Sequence, residues 1–346
     1  MQTANVIRMG LGALAANLFG RRRPLNLMVS VTNRCTAHCR YCRIPDRVQR
    51  EMTTEELVRL IDEAVALGTR RIGLWGGEPL MRDDIGRIVS HAAGRGLFVT
   101  MDTNGHRLQD RLDEVAEASH IVVALDGDRA AHDAVRGRGT FDLALAGLRA
   151  ALGRVPVWTI TVLTRQNLDQ VDFLLDLARR EGFLCTFQVI HHTETLGEAM
   201  GPFLADAAAY RDAARRLIAA KRAGAPIASS IPYLKHLLRW PDYAVPTMRE
   251  RVGRLRCWAG RLYANVDTDG LVYPCSLMIG RMPARNFLEV GLKAAFAALQ
   301  DIPCAACDAS CFTEYNYLYS LSPRVIVSWL RAMRRTRRLM RERAGK

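Results

Sequence analysis

This chain of 346 residues has little that would carry it across a membrane. Its N-terminal apolar stretch, Val6, Ile7, Met9, Leu11, Leu14, Leu18 and Phe19, is broken by Arg8, Asn17 and several glycines and alanines, too short and too interrupted for a spanning helix. A signal peptide is disfavoured by the order of charges, because Arg21, Arg22 and Arg23 follow the apolar run instead of preceding it. Disorder is excluded by a composition of 49% hydrophobic and 24% charged residues, ordinary for a globular protein. The even scatter of a secreted disulfide framework is also missing. The nine cysteines fall as 35/39/42, a lone 185, and 257/275/304/307/311, a grouping that suits metal sites in a reducing cytoplasm.

Acids are scarce at the two ends. Residues 1–23 hold Arg8, Arg21, Arg22 and Arg23 with no counter-charge, and residues 321–346 hold eight arginines and Lys346 against Glu342 alone, so the termini carry most of the formal charge of +14. In the last segment Ile326, Trp329, Leu330, Met333 and Met340 recur at three- and four-residue steps opposite the arginines, and Pro323 suits a first turn. A basic amphipathic helix with an interfacial Trp is the pattern of a membrane-surface anchor; the plainer reading is a packed terminal helix with solvated arginines. RNA is a third option for such ends, but no interleaved aromatic platform or nucleic-acid module accompanies them.

From residue 25 onward, short β-branched apolar runs alternate with helical patterns, the rhythm of βαβ units on a parallel sheet. Strands are expected over 25–32, 71–75, 97–103, 120–126, 155–163 and 184–191. Helices are expected over 54–67, 83–94, 108–118, 140–152, 168–181 and 204–223. Thr53 or Thr54 caps the first helix, with Glu55 and Glu56 in its first turn and Gly68 as its stop. Six units fall short of the eight that close a barrel, so the expected fold is α/β, a partial (β/α)6 TIM-like barrel. After residue 224 the sequence turns irregular and the later cysteines appear, as in a small metal-stapled module. The expected division is a basic amphipathic segment at 1–23, the barrel at 24–224, an auxiliary metal module at 225–320 and the terminal helix at 321–346.

Chemistry in such a barrel belongs at the C-terminal ends of the strands. Cys35, Cys39 and Cys42 follow strand one, Gly76-Gly77-Glu78-Pro79 follows strand two, Thr103-Asn104-Gly105 follows strand three, and Asp126-Gly127 ends strand four. Three thiolates spaced C-x3-C-x2-C read as a four-iron cluster with one iron left open for another ligand. Gly76 and Gly77 let backbone approach a ligand closely, and Glu78 or neighbouring carbonyls can accept hydrogen bonds from an ammonium.

This constellation, with Tyr41 just before the third cysteine, resembles the radical S-adenosylmethionine superfamily over residues 25–195. The resemblance implies that the open iron chelates the amino and carboxylate groups of S-adenosylmethionine, and that an electron from the cluster yields a 5′-deoxyadenosyl radical. It implies cofactor contacts at Tyr41, Gly76, Gly77, Glu78, Pro79, Thr103, Asn104, Asp126 and Arg136. Ala124-Leu125-Asp126-Gly127 with His132, Asp133 and Arg136 is similar to a family stretch in which a serine stands where this chain has Ala124. There the serine and the arginine help hold the ribose or methionyl carboxylate; a solvated helix-end cation is the bland reading of Arg136.

The spacing Cys257-x12-Gly270-x4-Cys275, then Cys304-x2-Cys307-x3-Cys311, with the Asp269-Gly270 turn and Tyr273-Pro274-Cys275, resembles the SPASM/twitch auxiliary modules of the same superfamily. Five cysteines cannot supply the eight thiolates of two clusters. One auxiliary 4Fe-4S cluster is therefore expected, most simply on 257, 275, 304 and 307 with Cys311 as spare or substitute; zinc is the alternative, since paired C-x2-C knuckles also suit it. Ser276 occupies the place of the aspartate base of sulfatase-maturing relatives, which argues against that activity. Cys185 reads as core. His191 and His192, with Glu194, fall where substrate contacts would lie, though loop histidines are often simply solvated.

The function this predicts is hydrogen abstraction from an unactivated carbon, with a reductant such as flavodoxin or ferredoxin. The substrate is small or lipid-like, an isoprenoid, hopanoid, phospholipid or tetrapyrrole, on the cytoplasmic membrane face. Modification of a ribosomally made peptide is the alternative within the enzyme class, although no peptide-recognition domain is apparent before residue 25. A non-catalytic iron–sulfur or zinc protein binding nucleic acid is the alternative outside it.

Overall fold

The computed structural model describes residues 3–191 and 201–344. His192 and Glu194 lie outside the described residues. Six parallel strands, β1 (Asn26–Thr32), β2 (Arg71–Gly76), β3 (Phe98–Thr103), β4 (His120–Ala124), β5 (Val157–Leu163) and β6 (Leu184–Val189), pair in chain order. Every residue of β1 is buried, as befits a strand covered on both faces. Met28, Phe98, Val122, Ile160 and Gln188 from five of these strands line one common cavity, so the sheet curls around a lumen as a partial barrel.

The helices on its outside are α1 (Thr3–Phe19), α2 (Thr54–Leu67), α3 (Ile85–Gly94), α4 (Leu108–Arg111), α5 (Arg129–Arg136), α6 (Thr140–Ala151), α7 (Val171–Glu181) and α8 (Ala207–Arg222). Helix α2 starts and stops as its sequence dictates. Thr53 and Glu56 close a reciprocal capping box, and Gly68 takes the left-handed conformation at φ 95°. The helix expected over 108–118 breaks instead into α4 and a 3-10 turn at Leu112–Val115, and α5 was not foreseen at all. Its charged sequence RAAHDAVR gives little apolar signal, yet His132, Val135 and Arg136 are buried.

The region after 224 is more regular than its composition suggests. It contains α9 (Ile231–Leu238), the paired two-residue strands β7 (Thr247–Met248) and β11 (Ala306–Cys307), and the strands β8 (Tyr263–Val266), β9 (Leu271–Tyr273) and β10 (Arg285–Asn286). It also holds α10 (Phe287–Ala297) and α11 (Ser310–Tyr319). β8 runs parallel to β1 on the edge away from β2, and β9 and β10 follow antiparallel, so one nine-stranded sheet joins the barrel and the later segment. The change expected at 225 is thus a change of connection and not of sheet.

The last helix, α12 (Pro323–Ala344), departs from the anchor reading. Trp329 meets Trp158 edge-on at 6.0 Å, Trp158 Nε1 donates to Thr336 Oγ1 at 2.7 Å, and Met333 packs beside Ala332 on Trp158, Leu184 and Ala228. Trp329, Ala332 and Met333 thus cover the N-terminal ends of β5 and β6, while Val327 and Leu330 stay exposed. Among the described residues no helix is long and apolar enough to cross a membrane.

Candidate metal centres and cofactor site

The loop after β1 is held open by hydrogen bonds from both sides. Thr32 Oγ1 and Asn33 N donate to Glu51 Oε1 at 2.5 and 2.9 Å, and Arg47 pairs with the buried Asp267 at the β8–β9 turn. Within the loop Cys42 N donates to Cys39 O at 2.9 Å, and Ala37 N points at Cys35 Sγ at 3.4 Å. Burial raises the pKa of all three thiols, Cys42 to about 11, and neighbouring thiols add to the rise at Cys35 and Cys42. Uncharged thiols gain nothing from such crowding. Thiolates bound to a metal cluster would relieve it, so the donor set fits an iron–sulfur group.

The glycine loop lies directly against this one. Gly77 N donates to Thr32 O at 2.7 Å and Glu78 N to Arg34 O at 2.8 Å. A Cβ on Gly77 would sit 2.3 Å from Arg34 O, and one on Gly76, at φ 139°, 2.3 Å from Thr32 O. Glycine is required here because backbone meets backbone. Gly77→Ala is therefore expected to push the two loops apart and lower cofactor cleavage on the order of a hundredfold, as misplacements of about 1 Å do. Iron content and product formation compared with wild type check this.

Glu78 is fully buried. Its carboxylate accepts from Leu80 N (3.0 Å), Thr103 Oγ1 (2.7 Å) and Asn104 N (2.7 Å), so it ties the ends of β2 and β3 together and leaves a ligand ammonium chiefly the neighbouring carbonyls. Pro79 opens the 3-10 turn that follows. Asn104 reaches the first loop, donating to Thr36 Oγ1 at 3.0 Å and approaching Cys35 Sγ at 3.6 Å.

Arg136 is not the solvated cation of the bland reading: it is only 7% exposed. Its Nε donates to Asp126 Oδ2 at 2.6 Å, Nη2 to Tyr41 OH at 3.0 Å, and Nη1 lies 3.7 Å from Cys39 Sγ. Asp126 in turn accepts from Val162 N at 2.9 Å through Oδ1 and from Asn167 Nδ2 at 2.9 Å through its carbonyl, while its own N–H donates to His132 Nδ1 at 3.2 Å. Burial, and then the Arg136 charge, holds His132 down at about 4, so it stays a neutral acceptor. Tyr41 packs edge-on against Phe203 at 5.9 Å. This network places a fixed positive charge beside one cluster thiol. Ala124, buried at the end of β4, offers no hydroxyl.

The later cysteines divide four to one. Burial raises the pKa of Cys275, Cys304 and Cys307, and neighbouring thiols of the group, Cys257 among them, raise it further, so three separate segments bring these four cysteines together. Cys311, in the first turn of α11, faces Asp102 and Arg71 instead, its thiol pushed up to about 12 by burial. Among the described residues no three His, Cys, Asp or Glu side chains close around a single-ion point. A four-iron group is wider than an ion and takes thiolates set further apart. Cys185 is core, its Sγ directed at Leu174 O at 3.7 Å. His191 Nδ1 lies 3.2 Å from Asp308 Oδ1, next to Cys307.

Inside the barrel lies a lumen cavity of about 310 Å³, with Cys311 in its wall. Sequence reading missed its polar lining. Asp102 lines the cavity with its side chain accessible there, and the surrounding protein pushes its carboxyl up to about 6 against the opposing pull of Arg71; His120 is held down at about 3, chiefly by burial. Arg71 donates to Asn26 Oδ1 at 2.7 Å and Thr100 Oγ1 at 2.8 Å and lies over the Tyr315 ring. Polar residues inside otherwise apolar strands were the available signal.

The family model for the radical SAM superfamily matches residues 29–178. A PqqA peptide cyclase from Ruegeria pomeroyi is 30% identical over 315 residues, 82% of this chain and 80% of that protein. The mycofactocin maturase MftC of Mycolicibacterium smegmatis is 33% identical over 171 residues, 47% of this chain and 44% of the maturase, so the chain spans less than half of that relative's length. Among solved structures, Streptococcus suis SuiB bound to its precursor peptide SuiA superposes with a TM-score of 0.64 at 16% identity, over 85% of this chain and 69% of SuiB, a likeness of fold. With its three-cysteine loop, its glycine loop and its partial barrel in this arrangement, the chain belongs to the radical SAM superfamily, whose cofactors are a 4Fe-4S cluster and S-adenosylmethionine.

Proposed function

We propose that this protein uses S-adenosylmethionine to abstract hydrogen from an unactivated carbon of a lipid-like molecule held in the barrel lumen. The observation that carries the reading is the convergence of four strand-end loops, from Cys35 to Arg136, at the C-terminal ends of the strands of a barrel whose lumen holds a cavity with Cys311 in its wall. Cys35, Cys39 and Cys42 would hold the catalytic cluster, and Cys257, Cys275, Cys304 and Cys307 an auxiliary one that relays an electron. Residues 24–224 form the catalytic part in this reading and 225–320 the auxiliary part. When bound, the cluster and S-adenosylmethionine supply one-electron cleavage of the sulfonium to a 5′-deoxyadenosyl radical. The chain's own residues do the rest. Arg136, fixed by Asp126 and Tyr41, keeps positive charge beside Cys39, the glycine loop sets the backbone against the cofactor, and Asp102 holds or releases a proton on its carboxylate inside the cavity.

A lipid-like substrate is supported by the cavity's neighbour. Phe98, Tyr315, Trp329 and Met333 are shared with an apolar slot of about 180 Å³ between α1 and α12, lined also by Val6, Met9 and Leu330. A peptide substrate is the second reading, favoured by the relatives named as a peptide cyclase and a peptide maturase.

Anaerobically reconstituted protein, reduced with dithionite or with flavodoxin or ferredoxin and given S-adenosylmethionine, is expected to release 5′-deoxyadenosine. If none forms with deuterated lipid extract or with peptide pools, the catalytic reading is lost. Deuterium reaching 5′-deoxyadenosine from lipid supports the first substrate class, and deuterium from peptide alone replaces it with the second.

A further inference from the structure

Helix α1 is inside out. It rests on the rest of the chain through small residues: Ala13 and Ala16 are buried, and a Cβ on Gly12 would meet Leu25 Cδ2 at 2.8 Å. Side-chain amides fasten it, Asn5 Nδ2 donating to Gly96 O and Asn17 Nδ2 to Tyr319 O, both at 2.7 Å. Its large residues point outward. Ile7, Leu11, Leu14 and Leu18, at steps of four, three and four, share one helix face and are 57%, 60%, 41% and 65% exposed, with Phe19 at 74% just beyond them. Scattered surface leucines need no explanation, but a stripe along a helix of about 25 Å does.

What lies beside the stripe identifies its partner. Arg8, Arg21, Arg23 and Arg70 surround a pocket of about 320 Å³ whose wall includes Leu11, with no acidic residue in the lining. Among the described residues none of the four pairs with a carboxylate. Burial and the charges of Arg8 and Arg23 both lower the pKa of Arg70, the mark of cations gathered without a counter-ion. A second copy of this chain docking by the same stripe would bring two such arginine sets together and repel. RNA would satisfy the arginines and leave the leucines in water. A surface with phosphate groups above hydrocarbon satisfies both.

We propose that the outer face of α1 docks on an anionic phospholipid bilayer, with Ile7, Leu11, Leu14, Leu18 and Phe19 among the acyl chains and the arginine pocket on a lipid phosphate. The anchor thus sits at the N-terminal helix, while α12 covers the N-terminal ends of β5 and β6 and adds exposed arginines nearby. The inference goes beyond the reaction and stands whether or not S-adenosylmethionine is cleaved, because its test reads binding alone.

The test is flotation of the full-length holoprotein with vesicles of phosphatidylcholine, or of equal parts phosphatidylcholine and phosphatidylglycerol. Wild type is expected to float with the anionic vesicles only. Leu11→Gln with Leu14→Gln is expected to abolish flotation. Arg8→Gln with Arg21→Gln and Arg23→Gln is expected to weaken it on the order of a hundredfold, at about a tenfold or smaller step per arginine. Unchanged melting temperature and iron content show that these exposed substitutions leave the fold intact. The proposal is overturned if wild type stays at the bottom of the gradient, or if both variants float like wild type. It is also overturned if light scattering shows a dimer that Leu11→Gln dissociates, or if only RNA competes for the arginines.

Discussion

A chain carrying Cys35→Ala, Cys39→Ala and Cys42→Ala is expected to lose S-adenosylmethionine cleavage altogether and to keep half of its iron. The loss of activity follows from removing every protein ligand of the open cluster, for which no neighbouring donor substitutes; Asn104 and Arg136 approach the cysteine sulfurs as hydrogen-bond donors and offer no thiolate. The retained iron follows from the proposed second group, whose four thiols come from three later segments of the chain and are untouched by the three substitutions. Iron and labile sulfide analysis of anaerobically prepared protein, alongside 5′-deoxyadenosine assays, reads both halves. Complete loss of iron would remove the auxiliary assignment. Complete loss of iron with a retained zinc signal would move the second site to zinc.

Arg136→Met is expected to destabilise the fold by about 3–5 kcal/mol, because it leaves the fully buried Asp126 carboxylate without its cation. Thermal melting should fall by roughly 5 to 10 °C. The companion change Asp126→Asn in the same chain should recover part of that loss while activity stays low, since neither variant restores positive charge beside Cys39. Equal melting temperatures for wild type and Arg136→Met would show that the ion pair is not what holds the β4–α5 loop on the cluster loop.

The expected strands and the helix at 54–67 match those observed to within a few residues because their signals are local. Apolar alternation, a capping box and a left-handed glycine act over a handful of neighbours. The failures have one cause as well. α5 is charged in sequence and folds because Arg136, His132 and Val135 are buried against elements far along the chain, and α11 forms where short-range patterning reads as irregular. Long-range packing decided both. The same holds for the anchor. Periodicity left the apolar stripe of α12 between a membrane anchor and a packed terminal helix; Trp158 and Thr336 show part of it turned inward, and the mixed, weakly amphipathic α1 presents an outward stripe of its own.

By itself the sequence determined the parallel βα framework, the identity of the three-cysteine loop and the glycine loop after it, because covalent spacing fixes which thiols and which backbone can meet a common ligand. Only the tertiary structure decided that Arg136 is consumed by Asp126 and Tyr41, that Glu78 staples two strand ends, and that Cys311 stands off from the other four cysteines. It alone set Asp102 in the wall of the lumen cavity and joined β8 to β1 across more than two hundred residues. The physical reason is that hydrogen-bond partners, burial and charge balance belong to groups brought together through space, and sequence spacing does not say which of them will meet.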